Sequence, residues 1–200
     1  MAQPHPLDAA AEADASSVEK ADLAAGLQLA RFRDHPAVKA AAKAGDLSDQ
    51  EPLYAATGLT LALGLALGDR RLTEAGARMF AAVVLSALIK SCVKGAVTRT
   101  RPHVVMDGGR YESDLGGDGE KPRQSFPSGH TAGATAVARA LGRVYPGAAS
   151  AALGFAALMG VIRVAKGAHY PLDVAGGAVA GLAAEAVVDL AARSVSASAR

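Results

Sequence analysis

Six side chains and one helix start carry the chemistry this sequence could perform. Lys94, Arg101 and Arg163 are cations, His130 and His169 are imidazoles, and Asp173 is a carboxylate four residues after His169. Pro127-Ser128-Gly129-His130 precedes an apolar stretch and reads as the start of a helix. The first N–H groups of a helix lack internal partners, and its dipole puts partial positive charge there, which suits an anion such as phosphate. Three cations match the charge of a phosphate, and arginine adds a planar fork that grips two oxygens. One histidine can attack and the other can move a proton. A carboxylate one helical turn from His169 reaches its ring, fixes the tautomer and leaves the far nitrogen free. Each residue also has a plain structural explanation. Lys94, Arg99, Arg101, Arg163 and Lys166 suit a membrane edge, where long cations reach for water. His169 and Asp173 suit a helix start. The joint arrangement favours chemistry.

The elements that must position these residues are apolar. Residues 53–68, 75–93, 131–144, 148–162 and 172–192 form five such segments of about 15 to 22 residues, near the length that crosses a bilayer. Residues 53–68 and 148–162 lack the regular polar positions of a soluble bundle. Gly154, Gly160, Gly176, Gly177 and Gly181 suit close helix packing in lipid. The fold expected is all-α, a polytopic transmembrane bundle of about five spans. If consecutive helices run up and down, the ends near Lys94, Ser128, Arg163 and His169 share one face. The opposite face receives Asp69-Arg70-Arg71, Tyr145-Pro146-Gly147 and the C-terminus. The connection 94–126, rich in Gly, Asp and Arg, reads as a loop with little regular structure, and no strand pattern stands out.

Residues 17–44 read as an amphipathic arm of one or two helices, broken near His35-Pro36, lying on a membrane, on the protein or in solvent. Before it, 1–16 reads as a loose tail. Asp8, Glu12 and Asp14 interrupt 1–19, so a cleaved export signal is not expected there. The domain division is 1–50 for tail and arm, 51–195 for the helical domain and 196–200 for a C-terminal tail. The chain is half hydrophobic with 4% aromatics, and its net charge of +2 points to no nucleic-acid partner. Mean hydropathy is +0.19. The single cysteine, Cys92, excludes an internal disulfide and is expected to be a buried thiol.

With these residues in view, the sequence resembles the type 2 phosphatidic acid phosphatase superfamily. Its three motifs are K-x6-R-P, P-S-G-H and S-R-x5-H-x3-D. Here they are Lys94 to Arg101-Pro102, then Pro127-Ser128-Gly129-His130, then Arg163 through His169 to Asp173, with Ile162 where the family has serine. The departure puts one phosphate contact in doubt.

The resemblance implies a helical bundle in which His169 forms a phosphohistidine and Asp173 orients it. His130 protonates the leaving oxygen and then activates water. Lys94, Arg101, Arg163, Ser128 and the Gly129 N–H hold the phosphoryl oxygens. It implies no metal or organic cofactor. The expected function is a membrane phosphatase acting on a lipid phosphate monoester or diphosphate. The alternatives are an enzyme similar to vanadate-dependent haloperoxidases, or a lipid-phosphate transferase or binding protein. The expected setting is a bacterial cytoplasmic membrane. Lys20, Arg31, Arg33, Lys39 and Lys43 in the arm favour a cytoplasm-facing site, whereas the resemblance more often implies the outer face.

Overall fold

A computed structural model describes residues 16–117 and 119–198. Of the tail expected at 1–16, residues 1–15 lie outside them, as do residue 118 and the last two. The arm forms two helices, α1 (Ser17–Ala30) and α2 (Pro36–Gly45). Ser16 caps the first by accepting from the Glu19 N–H. Pro36 opens the second at a position whose N–H would be unpaired anyway. A short 3-10 turn, Asp46–Ser48, leads into the bundle.

Five helices occupy the five apolar segments: α3 (Gln50–Leu67), α4 (Arg70–Ala96), α6 (Gly129–Val144), α7 (Ala149–Ala165) and α8 (Pro171–Ser198). The last runs past Ala192, where the apolar segment ends, and takes in residues 196–198. By length and apolar composition, Arg70–Ala96, Pro146–Ala165 and Pro171–Val195 can cross a membrane. Their outer surfaces agree, because Leu88, Phe155, Leu158, Val161, Val187 and Leu190 are exposed. Apolar side chains turned outward over whole helices need lipid rather than water around them. The chain is an integral membrane protein with an all-α transmembrane bundle.

α6 is the central helix, with nine buried residues, most of them Ala, Gly or Thr. Small side chains let α4, α7 and α8 close on it. Gly177 of α8 shows how tightly: a Cβ there would strike the Ser128 carbonyl oxygen. Ala75, Met79 and Ala82 of α4 pack on Ala136, Ala140 and Val144 of α6.

Two expectations fail. The 94–126 connection is structured: β1 (Val97–Arg99) pairs antiparallel with β2 (Ser113–Leu115), the short α5 (Pro102–Met106) lies between them, and a 3-10 turn follows at Lys121–Arg123. Strands of three residues are too short to display an alternating pattern. Cys92 is exposed rather than buried. On a lipid-facing helix the outward side is apolar too, so an apolar run does not imply burial.

Candidate active site

A cavity of about 420 Å³ opens at the end of the bundle where α4 finishes and α6 begins, and Lys94, Arg101, Gly129, His130 and His169 line it. Lys90, Lys121 and Gln124 add polar wall, while Leu53, Val83 and Ala87 supply an apolar side. Ser128, Arg163 and Asp173 stand behind this surface.

The two lining cations are held by carbonyls. Lys94 Nζ donates to the Gln124 carbonyl at 2.5 Å. Arg101 donates from Nε to the Lys121 carbonyl at 3.0 Å and from Nη2 to the Gln124 carbonyl at 3.3 Å. No carboxylate pairs with either among the described residues, so neither charge is cancelled. The 94–126 connection therefore acts as a frame for these cations.

Ser128 is the N-cap of α6. Its Oγ accepts from the Thr131 hydroxyl at 3.1 Å and lies 3.5 Å from the Thr131 nitrogen. It is fully buried and turned toward its own helix. Its own N–H donates to the Asp173 carbonyl at 2.9 Å, which ties the start of α6 to the start of α8. Gly129 is the first residue of α6, so its N–H is one of the donors that helix geometry leaves free.

His169 is buried, and its Nδ1 has no hydrogen-bond partner. Asp173 Oδ2 is 3.8 Å from that nitrogen, an ion-pair distance rather than a hydrogen bond. The carboxylate is instead held from three sides. Arg99 Nη1 donates to Oδ1 at 2.6 Å, while Ser125 Oγ at 2.5 Å and the Tyr170 N–H at 2.8 Å donate to Oδ2. The last bond caps α8, so Asp173 closes a helix start and faces His169 at once. Burial pulls His169 below the ordinary histidine range, against the opposing pull of Asp173. The ring is neutral near pH 7, the form that can attack.

His130 meets the Asp49 carboxylate through Nε2. Arg163 is buried and does not line the cavity; its Nη2 lies 3.0 Å from Asp46 Oδ1. Burial raises the Asp46 pKa, but the hydrogen bond and charge of Arg163 outweigh it and hold the carboxyl below its usual range. Asp46, Asp49 and His130 bring three metal-ligand atoms within 4.8 Å of one another. Arg163 already sets a cation against that group.

The motif residues thus gather at one end of the bundle, with two arrangements that spacing did not indicate: Arg163 is paired to Asp46, and Asp173 is not hydrogen-bonded to His169. Sequence reasoning also missed Arg99, Ser125, Asp46 and Asp22. Only Asp22 had a signal. It sits one and two helical turns before Gly26 and Ala30, on the buried face of α1.

The sequence profile described as the PAP2 superfamily matches residues 75–193. Two lipid A 1-phosphatases, from Rhizobium etli and Rhizobium johnstonii, are each 38% identical to the chain over 108 residues, 54% of its length. That stretch is 44% and 42% of theirs, so the match spans less than half of these curated relatives. Among solved structures, Aquifex aeolicus LpxE shares the fold with a TM-score of 0.60 at 21% identity, over 80% of this chain and 92% of that one. The first transmembrane PAP2 type phosphatidylglycerolphosphate phosphatase from Bacillus subtilis gives 0.63 at 22% identity, over 93% and 91%.

Proposed function

The chain belongs to the PAP2 superfamily, and from that premise we propose that it hydrolyses a lipid phosphate monoester or diphosphate through a phosphohistidine on His169, without a metal. The observation that carries this reading is the shared cavity: His169, His130 and two carboxylate-free cations face one space with an apolar side. The curated relatives named as lipid A 1-phosphatases support a lipid phosphate as the substrate class.

Asp173 lies on the Nδ1 side of His169, which assigns attack to Nε2. The Nε2–phosphorus bond forms as the bond to the lipid oxygen breaks. His130 gives that oxygen its proton. Water then attacks the phosphohistidine, His130 takes the water's proton, and inorganic phosphate leaves. Lys94 and Arg101 turn their donors from backbone carbonyls to phosphoryl oxygens, and the Gly129 N–H adds the dipole of α6. Arg163 joins them when the phosphate competes with Asp46 for its guanidinium. Ser128 acts by holding the first turn of α6. The apolar side formed by Leu53, Val83 and Ala87 suits the first carbons of an acyl or prenyl chain.

The detergent-purified protein, in EDTA, is expected to release phosphate from at least one of phosphatidic acid, phosphatidylglycerol phosphate, a polyprenyl diphosphate and lipid A. His169→Ala should abolish release while keeping the fold. Near-normal release by that variant would contradict the assignment, and no release from any substrate would favour a lipid-phosphate binder or transferase.

We place the protein in a bacterial cytoplasmic membrane with the cavity facing the cytoplasm. Support comes from charge: α1, α2 and the Arg31–Arg33 turn carry Lys20, Arg31, Arg33, Lys39 and Lys43 on the cavity's face. Lys43→Cys in a Cys92→Ser background tests this. Protection from an impermeant maleimide in intact cells agrees, and labelling contradicts it.

A further inference from the structure

We infer that Asp22 of the N-terminal arm and Arg99 are positioning residues that set the charge felt by the Asp173–His169 pair, so that an element outside the family-matched stretch completes the site. Arg99 lies between two carboxylates. Its Nη1 donates to Asp173 Oδ1 and its Nη2 to Asp22 Oδ2, each at 2.6 Å. All three side chains are almost fully buried, at 6%, 0% and 3% exposure for Arg99, Asp173 and Asp22. The guanidinium stacks 4.5 Å above the Tyr170 ring, next to His169 in the chain. Its Nε donates to the Tyr111 hydroxyl, which donates to Glu19 of α1 at 2.6 Å. Asp22 Oδ1 accepts the Leu172 N–H at 2.8 Å, which pins α1 to the first turn of α8. Gly26, one turn on, leaves room for the Tyr170 ring, where a Cβ would collide.

The arrangement has an electrostatic consequence. A buried arginine bonded to Asp173 alone would cancel the charge that Asp173 presents to His169. With Asp22 on its other side, the trio keeps one net negative charge, and Asp173 can still stabilise a ring that gains positive character as it attacks. The other charged groups around His169 are Lys94 at the end of α4, Arg101 before α5 and His130 at the start of α6. Lys90, Lys121 and Asp49 line the same cavity, and Asp49 is engaged by His130. The carboxylate that acts on His169 itself is Asp173, and through Arg99 its charge depends on Asp22. This deepens the phosphohistidine reading and rests on it for the effect on turnover. The protonation of His169 can be measured without it.

The test is the pH dependence of His169 carbethoxylation by diethyl pyrocarbonate, which needs the neutral ring, read on the His169 peptide by mass spectrometry. The whole detergent-purified protein is used, as wild type, Asp22→Asn, Arg99→Gln and Arg99→Lys, with phosphate release from dioctanoyl phosphatidic acid followed in parallel. Asp22→Asn leaves Arg99 uncompensated and should lower the midpoint by about half a pH unit. Arg99→Gln removes the cation and should raise it by a similar amount. Arg99→Lys keeps the charge and should leave the midpoint near wild type. One amine cannot span both carboxylates, so turnover should still fall about tenfold. Opposite shifts support the inference; unchanged midpoints, or shifts of one sign in both neutralising variants, overturn it. If Asp22→Asn does not fold, the two Arg99 variants decide, because a structural role alone predicts no rise in Arg99→Gln that Arg99→Lys reverses. If the midpoints move as expected while wild type releases no phosphate, the phosphatase reading fails and the positioning inference stands.

Discussion

Toward the end of the bundle away from the cavity, Arg78 pairs with Glu74 and Asp189, Arg143 with Glu185 and Asp189, and Arg193 with Asp189. Each of these arginines has a carboxylate, and Arg71 donates to the Val144 carbonyl while stacking on Tyr145. At the cavity end, Lys94 and Arg101 are held only by carbonyl oxygens. Carbonyls orient a cation without cancelling its charge. The first arrangement binds helices together and matches Arg78, Arg143 and Arg193 with carboxylates, Arg71 being the exception held by a carbonyl. The second keeps charge in reserve in a partly desolvated space, where an arriving phosphate gains most from it. Arg163 lies between these cases, because it already holds Asp46.

Removing charge at the two ends should therefore have opposite consequences. Lys94→Ala or Arg101→Ala is expected to lower kcat/KM by about a hundred- to a thousand-fold, the loss typical of one donor to a developing charge. Thermal unfolding should hardly change, and steady-state kinetics with calorimetry would show both. Glu185→Gln should do the reverse. It removes the nearer of the two carboxylates on Arg143, leaving Asp189, and should cost about 1.5 kcal/mol of stability while sparing turnover. A Glu185→Gln enzyme with wild-type stability and impaired kinetics would break the comparison.

Arg163 sharpens it. Asp46→Asn removes the competitor for its guanidinium, and since the Asp46 side chain is half exposed, the gain is modest: KM should fall by about threefold with kcat unchanged. A loss of kcat would mean that Asp46 positions Arg163 instead. The smallest effect is expected at Ile162, on α7 beside Arg163. Ile162→Ser should keep the fold and change kcat/KM by less than about twofold, as one extra hydrogen bond near an already cationic site would. Unfolding of that variant would show the position to be apolar core.

Much of the architecture was legible because it is periodic or local. The apolar runs located α3, α4, α6, α7 and α8. His35-Pro36 marked the break between α1 and α2, and Ser128 marked its own cap. Alternating helix directions were enough to bring Lys94, Ser128, Arg163 and His169 to one end. The supports around them were not legible. Arg99 meets Asp22 and Asp173 across 77 and 74 positions, and Arg163 meets Asp46 across 117. No local period encodes such pairings. The four-residue spacing puts the Asp173 carboxylate within reach of the His169 ring, yet Tyr170, Ser125 and Arg99 claim that carboxylate first. Spacing showed what could meet, and the bundle decided which partner won.

The most direct test follows the phosphoryl group itself. Protein given a lipid phosphate labelled in its phosphoryl group, quenched in alkali within the first turnovers and digested, should carry acid-labile label on the peptide containing His169, and none in His169→Ala. Label on His130 would contradict the assignment of His169 as the nucleophile, and full phosphate release with no labelled peptide at any time would contradict a covalent histidine mechanism.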